Sequence, residues 1–538
     1  AEVTHALKTL FSQDTAQEQR VNADRWLSEW RENATPASWS VAFNLFQDPS
    51  LPPYVHHFAA LCLHHFVRSY KHWTLLPTTS YQDLVKTVIS LIISPGHSHE
   101  SIRELCFVLC VIGIRTFPTH WPTFFFDMFR IVNCSDIYEE HYLKPRMKQS
   151  GGVMPEEFAA FQEQQKEETE VSIRSLLLSL APEQINALLL PGIEILTCIP
   201  EEITESALIL SKTLKDKVLF ECKVRVKVML CSLEKFLGAA GAPRRLILKC
   251  LHNWTLFSIS PSITMETGIL QQVVRGITDH EFSNEYSTAL VQLLTPSEWK
   301  NFPTVIMEVV RHISGYREFY TKNQDSDPET AKSMCVVVSS LIENYTDIIV
   351  NNLENGGKQI LEFGLLCTSN TERDIFPIML ESWYALLYHS DEEELDQAIK
   401  HYFAQIYTQL LQILLKQVMY DNDAHSWDEE EHEDFGKLRN MTADTFQYCH
   451  TILEDAYFAY LVRLLEQFIK SGSVDWTNVE VVVYALSVVG ECIENPNDPY
   501  IPQIFALLFD MKGPPALLSN TMLLLLKEYA EQLAAHPS

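Results

Sequence analysis

His99-Glu-Ser-Ile-Arg-Glu-Leu-Cys-Phe-Val-Leu-Cys-Val-Ile-Gly-Ile-Arg115 is followed by a short break, Thr-Phe-Pro-Thr-His-Trp-Pro122, and then by Thr-Phe-Phe-Phe-Asp-Met-Phe-Arg-Ile-Val132. In the first segment Ile102, Leu105, Leu109 and Ile112 recur at helical spacing, and Cys106, Cys110 and Gly113 form an adjacent stripe. In the second, Trp121, Phe124 or Phe125, Met128 and Val132 share one face. Pro118 and Pro122 suit a connection or a first turn but not a helix interior. The pattern describes two antiparallel helices whose apolar surface is wider than one stripe. Such a pair cannot bury itself alone. It needs similar pairs on either side, which is the logic of a helical-repeat array.

The rest of the chain repeats this pattern. The first pair is expected at about 2–12 and 15–31, with Ala23, Trp26, Leu27 and Trp30 in register. Helices opened by Pro36, by Pro52-Pro53 and by Pro77 follow, so the repeating unit is about 35–45 residues, within the HEAT range. Residues 135–183 interrupt it with Gly151-Gly152 and the polar run 162–170. They read as an exposed loop and one solvated helix, with Ile173, Leu176, Leu177 and Leu180 rejoining the array. Lys215, Lys223, Arg225 and Lys227 mark either a solvated helix face or a partner contact. Helical pairs then continue to a long apolar helix, Ala398 to Met419. Asp421, Asp423, Asp428, Glu429, Glu430, Glu431, Glu433 and Asp434 come next, with no Lys or Arg before Lys437; such a block repels itself and reads as an acidic loop. In the last helix Leu523, Leu526 and Leu533 present an apolar side that calls for a further helix. The fold class is all-α, a right-handed α-solenoid of HEAT-like antiparallel helix pairs.

Composition agrees. Glycine is 17 of 538 residues, about half the usual ~7%, as helices joined by tight connections require. No uninterrupted apolar run approaches the ~18 residues of a membrane span, and no secretory leader precedes the first helix. Lys plus Arg is 41 against 70 Asp plus Glu, a net charge of −29. That disfavours nucleic acid and favours basic protein partners. The twelve cysteines include no Cys-x-x-Cys pair, so reduced core thiols are expected. No phosphate loop, nucleophile elbow or zinc-protease motif is present. His56, His57, His64 and His65 are the best metal candidates, with an ordinary helix surface as the alternative. Neither enzyme chemistry, nor a cofactor, nor a metal has positive support.

Several segments resemble the importin-β superfamily of nuclear transport receptors. Residues 19–30, Gln-Arg-Val-Asn-Ala-Asp-Arg-Trp-Leu-Ser-Glu-Trp, look like the second helix of its first repeat, and Trp121-Pro122 resembles the start of its exportin-like segment. Ile193-Glu-Ile-Leu-Thr-Cys-Ile-Pro-Glu-Glu202 is similar to a stretch of the transportin-SR and importin-13 branch. So are Cys250-Leu-His-Asn-Trp254, Ser382-Trp-Tyr-Ala-Leu386, the acidic run through Asp434-Phe435 with Leu438-Arg439, and Asp475-Trp476 with Glu491.

The resemblance implies importin-β-like HEAT repeats that bind Ran over 1–134, then a charged insertion over 135–183. Exportin-like and middle HEAT repeats at 184–420, an acidic loop at 421–436 and further repeats at 437–538, cut short at the carboxy end, complete the division. It implies a carrier that shuttles between cytoplasm and nucleus, most simply an importin. Its partners would be Ran-GTP, phenylalanine-glycine nucleoporins and basic cargo, with Arg/Ser-rich splicing factors as the cargo of this branch. An exportin, a bidirectional carrier or a static helical-repeat scaffold are the alternatives. The inner helices are expected at about 15–31, 54–71 and 98–115. Tyr54, His57, Phe58, Leu61, Arg103 and Phe107 are the candidates for the Ran side; for Phe58 and Phe107, packing between helices is the competing explanation.

Overall fold

A computed structural model describes residues 2–12, 14–77, 80–149, 184, 187–204, 208–241, 243–392, 395–470, 475–493, 499–509, 511 and 513–535. Among them there are helices and no strands. The chain divides into two compact units, 1–272 and 273–538.

In the first unit the longer helices are α1 (Glu2–Phe11), α2 (Gln17–Glu32), α3 (Pro36–Gln47), α4 (Pro53–Arg68), α5 (Tyr81–Ile92), α6 (His99–Thr116), α7 (Phe124–Ile131), α8 (Leu189–Thr204), α9 (Lys212–Leu237) and α10 (Arg244–Thr255). Successive helices pair: α1 on α2, α3 on α4, α5 on α6 and α9 on α10. The second members then stack in one layer, in the order α2, α4, α6, α8, α10. The three segments expected to be inner helices therefore share a layer.

Local chemistry sets the ends. Pro36 and Pro53 occupy first turns, where the missing N–H costs nothing. Ser98 caps α6 by accepting from the Ser101 N–H. Central α6 has apolar neighbours on all sides: Leu105, Cys106, Val108, Leu109, Cys110, Val111, Ile112 and Ile114 are all buried. Gly113 makes the α6–α7 approach possible, since a Cβ there would lie 2.1 Å from the buried Phe124 ring.

In the second unit the helices used below are α11 (Ser283–Leu294), α12 (Pro303–Ser314), α13 (Pro328–Val350), α14 (Gly357–Thr368), α15 (Leu380–Glu392), α16 (Gln397–Gln417), α17 (Glu429–Leu453), α18 (Asp455–Lys470), α19 (Trp476–Val488), α20 (Tyr500–Phe509) and α21 (Ala516–Glu528). One layer runs α11, α13, α15, α17, α19, α21, and the facing layer includes α12, α14 and α16. By length and hydropathy α13 would suffice to cross a membrane, but 72% of its apolar window is buried against its neighbours, as in a core helix. Each unit is thus a two-layer stack of helix pairs, the repeat architecture expected from the alternation of apolar segments.

Two expectations need correction. The start of the 135–183 insertion is no exposed loop: Ser135–Gln149 is helical, and Tyr138, Tyr142 and Leu143 are buried. Tyr138 and Tyr142 lie one turn apart and so present one apolar face. Residues 150–183, with Ile173, Leu176, Leu177 and Leu180, lie outside the described residues.

The acidic loop is also largely helix. Glu429, Glu430, Glu431, Glu433 and Asp434 form the first turns of α17, and only the preceding segment is irregular. Asp428 accepts from the Glu431 N–H while Glu431 accepts from the Asp428 N–H, a capping box. Negative charge at a helix amino terminus is favourable, so the repulsion that suggested a loop is offset.

Candidate protein-interaction site

On α4 the sealed side consists of Val55, Ala59, Ala60, Cys62, Leu63, Phe66 and Val67, all fully buried. Tyr54, His57, Phe58 and Leu61, at offsets 0, 3, 4 and 7, follow the opposite side and are half-buried. On α6, Arg103 and Phe107 lie one turn apart and are half-buried too. All six candidates are therefore accessible to a partner, and none is sealed in the core. They do not form one cluster. Tyr54 and Phe58 lean toward the first pair, with ring centroids 4.7 Å from Phe11 and 6.3 Å from Trp30. Phe107 stacks on the His64 imidazole at 5.0 Å, and the Arg103 guanidinium lies 5.7 Å from the Phe107 centroid.

Acidic side chains of α8 bind this second group together. Glu202 lies 3.4 Å from His64 Nε2 and 3.2 Å from Arg68 Nε. Glu104 accepts from the other ring nitrogen of His64, Nδ1, at 2.8 Å. Glu194, two turns before Glu202, is 3.8 Å from both Arg103 and His99. Burial opposes charge on His64, but the carboxylates of Glu104 and Glu202 outweigh it, and the His64 pKa is raised. Burial raises the Glu194 pKa despite Arg103, Lys249 and His99. Arg115 donates to the carbonyls of Val67 at 2.8 Å and Arg68 at 2.6 Å, capping the end of α4. Burial lowers its pKa to about 10, so it stays charged at neutral pH.

The α8–α10 contact joins two of the sequence segments quoted above. Pro200 stands inside α8 and has no N–H for the carbonyl of Leu196, four residues back. The buried Trp254 indole of α10 donates to that carbonyl instead, at 2.8 Å. Asn253 donates to the next one, Thr197, at 2.9 Å and to Glu201 at 2.8 Å. A proline that would weaken an isolated helix thus frees an acceptor that helps fix its neighbour.

Family models match two parts of the chain: the importin-beta N-terminal domain over residues 23–106, and the transportin-3/importin-13 second TPR domain over 326–417. Importin-13 of Bos taurus is 21% identical over 533 residues, covering 96% of this chain and 50% of its own length. Importin-13 of Homo sapiens matches with the same identity and coverage. The chain carries an importin-beta N-terminal domain and a transportin-3/importin-13 second TPR domain, with a likeness to importin-13 over most of its length.

Transportin MOS14 of Arabidopsis thaliana is 22% identical over 269 residues, covering 47% of this chain and 26% of its own length. A solved structure of importin-13 in its cytosolic state shares the fold, with a TM-score of 0.66 at 16% identity; it covers 90% of this chain and 52% of that one. The chain spans about half the length of the importin-13 relatives it matches. The importin-β N-terminal match contains Tyr54, His57, Phe58, Leu61 and Arg103 and stops one residue before Phe107.

Elsewhere in the chain, several polar residues hold structure. The solvated-face reading fails for Arg225, which is fully buried. It pairs with Glu221, donates to Tyr138 Oη at 2.9 Å and lies 4.0 Å from the Tyr142 centroid. The lysine alternation around it gave no sign that one cation turns inward. Arg439 is also buried, bidentate to Glu480 at 2.8 and 2.6 Å and packed on Tyr420, Phe435 and Tyr484. His56 hydrogen-bonds the Asp48 carbonyl at 2.9 Å, whereas His64 faces Glu104 and Glu202, so the histidines of α4 have separate partners. Among the described residues no group of three or more His, Cys, Asp and Glu is placed to hold a metal ion. Sequence reasoning missed Glu104 and Glu202 as partners of His64. The signal was available only in part, as Pro200-Glu201-Glu202 in the branch-like segment.

Proposed function

We propose that this chain acts as a nuclear transport receptor, carrying protein cargo through nuclear pores under Ran-GTP control in the import direction. The observation that carries the reading is the importin-13 likeness running through 96% of the chain. The relatives are importins and a transportin, not enzymes.

Ran in its GTP form is assigned to the α2, α4 and α6 layer, with Tyr54, His57, Phe58, Leu61, Arg103 and Phe107 as its contacts. Half-buried aromatic and aliphatic groups beside an arginine suit an interface: they offer apolar area without the cost of leaving it fully in water. The net charge of −29, with the acidic start of α17, attracts basic cargo at long range. Phenylalanine-glycine nucleoporins and shuttling between cytoplasm and nucleus belong to the same proposal. Arrays whose repeats touch only their neighbours transmit a change of curvature, so a partner that favours one curvature weakens another.

A pull-down with Ran loaded with GTP or GDP tests this. The GTP form alone should be retained, and Leu61→Glu or Arg103→Glu should weaken retention about tenfold, the loss of one interfacial contact worth roughly 1.4 kcal/mol. Equal retention of both forms, or of neither, overturns the carrier reading in favour of a scaffold. Release of bound cargo by Ran-GTP marks an importin, and recruitment an exportin.

A further inference from the structure

In the second unit, α15 and α17 lie side by side, and among the described residues their aromatic side chains include exposed ones. On α15, Trp383, Leu386 and Leu387 are buried, while Glu381, Tyr384 and Tyr388 follow the exposed side at offsets 0, 3 and 7. Tyr384 is 46% and Tyr388 52% exposed, with centroids 6.3 Å apart. From α17, Tyr448 approaches Tyr384 at 5.5 Å, beside the exposed Met441 and Asp444. Glu381 stands three residues before Tyr384 and Asp444 four before Tyr448, so each carboxylate shares a helix face with its ring; burial, then Asp444, Glu381 and Tyr384, raise the Tyr448 phenol. Glu343 of the adjoining α13 is exposed as well.

The helices α13, α15 and α17 carry three lysines and arginines between them, each already committed. Lys332 pairs with Asp374 at 2.9 Å, Lys437 with Asp434 at 3.0 Å and Glu433 at 3.1 Å, and Arg439 is buried against Glu480. The carboxylates around the tyrosines therefore have no lysine or arginine of their own three helices to neutralise them.

Large exposed rings edged by carboxylates that these three helices do not neutralise match one chemistry closely. A guanidinium stacks its plane on an aromatic face and keeps its N–H edge for carboxylates, whereas an ammonium is compact and strongly hydrated. An apolar partner would leave the carboxylates stranded, and a nucleic acid would meet a surface of its own sign. We infer that the α15–α17 surface binds an arginine-bearing segment of a partner protein, with guanidinium groups stacked on Tyr384 and Tyr388 and paired with Glu381 and Asp444. This deepens the transport reading, on which it rests, by giving basic cargo a docking place.

The test is fluorescence anisotropy of this chain with a labelled arginine–glycine repeat peptide and its lysine counterpart. The arginine peptide should bind about threefold to tenfold more tightly. Joint Tyr384→Ser and Tyr388→Ser should weaken it roughly tenfold and erase the preference over lysine, at the scale of cation–π contacts. Tyr384→Phe should keep both, which separates loss of the ring from loss of the fold. Glu381→Gln with Asp444→Asn should weaken binding and flatten its salt dependence. Equal binding of the two peptides, no binding of either, or serine variants that bind as the parent does would each overturn the assignment. Retention of Ran-GTP, measured on the same variants, should be unchanged. A chain that retains Ran-GTP but lacks arginine preference loses only this surface; one with the preference but no Ran retention loses only the transport reading.

Discussion

His64 is the residue on which three helices of the first unit depend for a shared charge. It stands on α4, faces Glu104 of α6 and Glu202 of α8, stacks on Phe107, and shares Glu202 with Arg68. Its folded pKa is raised above the ordinary ~6.5 of an unfolded histidine. Its contribution to stability is therefore complete below that value and is lost as pH rises through the folded pKa. His65, His72 and His97 act the other way, since burial lowers their pKa and acid destabilises their folded forms. The informative quantity is the difference between the parent and His64→Gln. We expect the Tm gap between them to widen as pH falls from about 8.5 to about 6, across the ordinary histidine range. A gap independent of pH would contradict the assigned role. None of this was legible in the chain, where His64 suggested either a metal ligand or an ordinary helix surface. Glu104 and Glu202 lie 40 and 138 positions away, and periodicity cannot say which side chains meet across helices. Arg225 shows the same limit: its companions in sequence are lysines, and its partners Tyr138 and Tyr142 come from a segment read as an exposed loop and one solvated helix.

Among elements, the α8–α10 pair shows how a helix breaker becomes a connector. Trp254→Phe keeps the ring bulk but leaves the buried Leu196 carbonyl without a donor, which should cost about 1–3 kcal/mol. In a Pro200→Ala background the backbone N–H of position 200 can take that carbonyl. The cost of Trp254→Phe should then fall, a coupling measurable by unfolding the four proteins of the cycle. Equal costs in both backgrounds would mean that the proline and the tryptophan act independently. Helix positions themselves were well marked in the sequence. Pro36, Pro53, Pro303 and Pro328 stand in first turns, and the alternation from His99 to Val132 reappears as α6 and α7. The acidic segment misled because local repulsion was weighed without the helix dipole and the Asp428 cap that offset it.

For the whole molecule, the account joins a repeat architecture to a nucleotide-controlled partner. The order of short family-like segments pointed to the importin-13 likeness that runs over most of the chain, and two of those segments pack on each other. Trp254 and Leu196, from two such segments, are hydrogen-bonded between α10 and α8. The candidate contact residues were legible as one side of α4 and α6. Their division between the α1–α2 side and the α8 side was not, since α8 enters after the insertion. The most direct measurement is amide hydrogen exchange of this chain alone, with Ran-GDP and with Ran-GTP. The account predicts that Ran-GTP, and not Ran-GDP, slows exchange in peptides covering Pro53–Arg68 and His99–Thr116. Unchanged exchange in both peptides with Ran-GTP, or the same slowing with Ran-GDP, would contradict it.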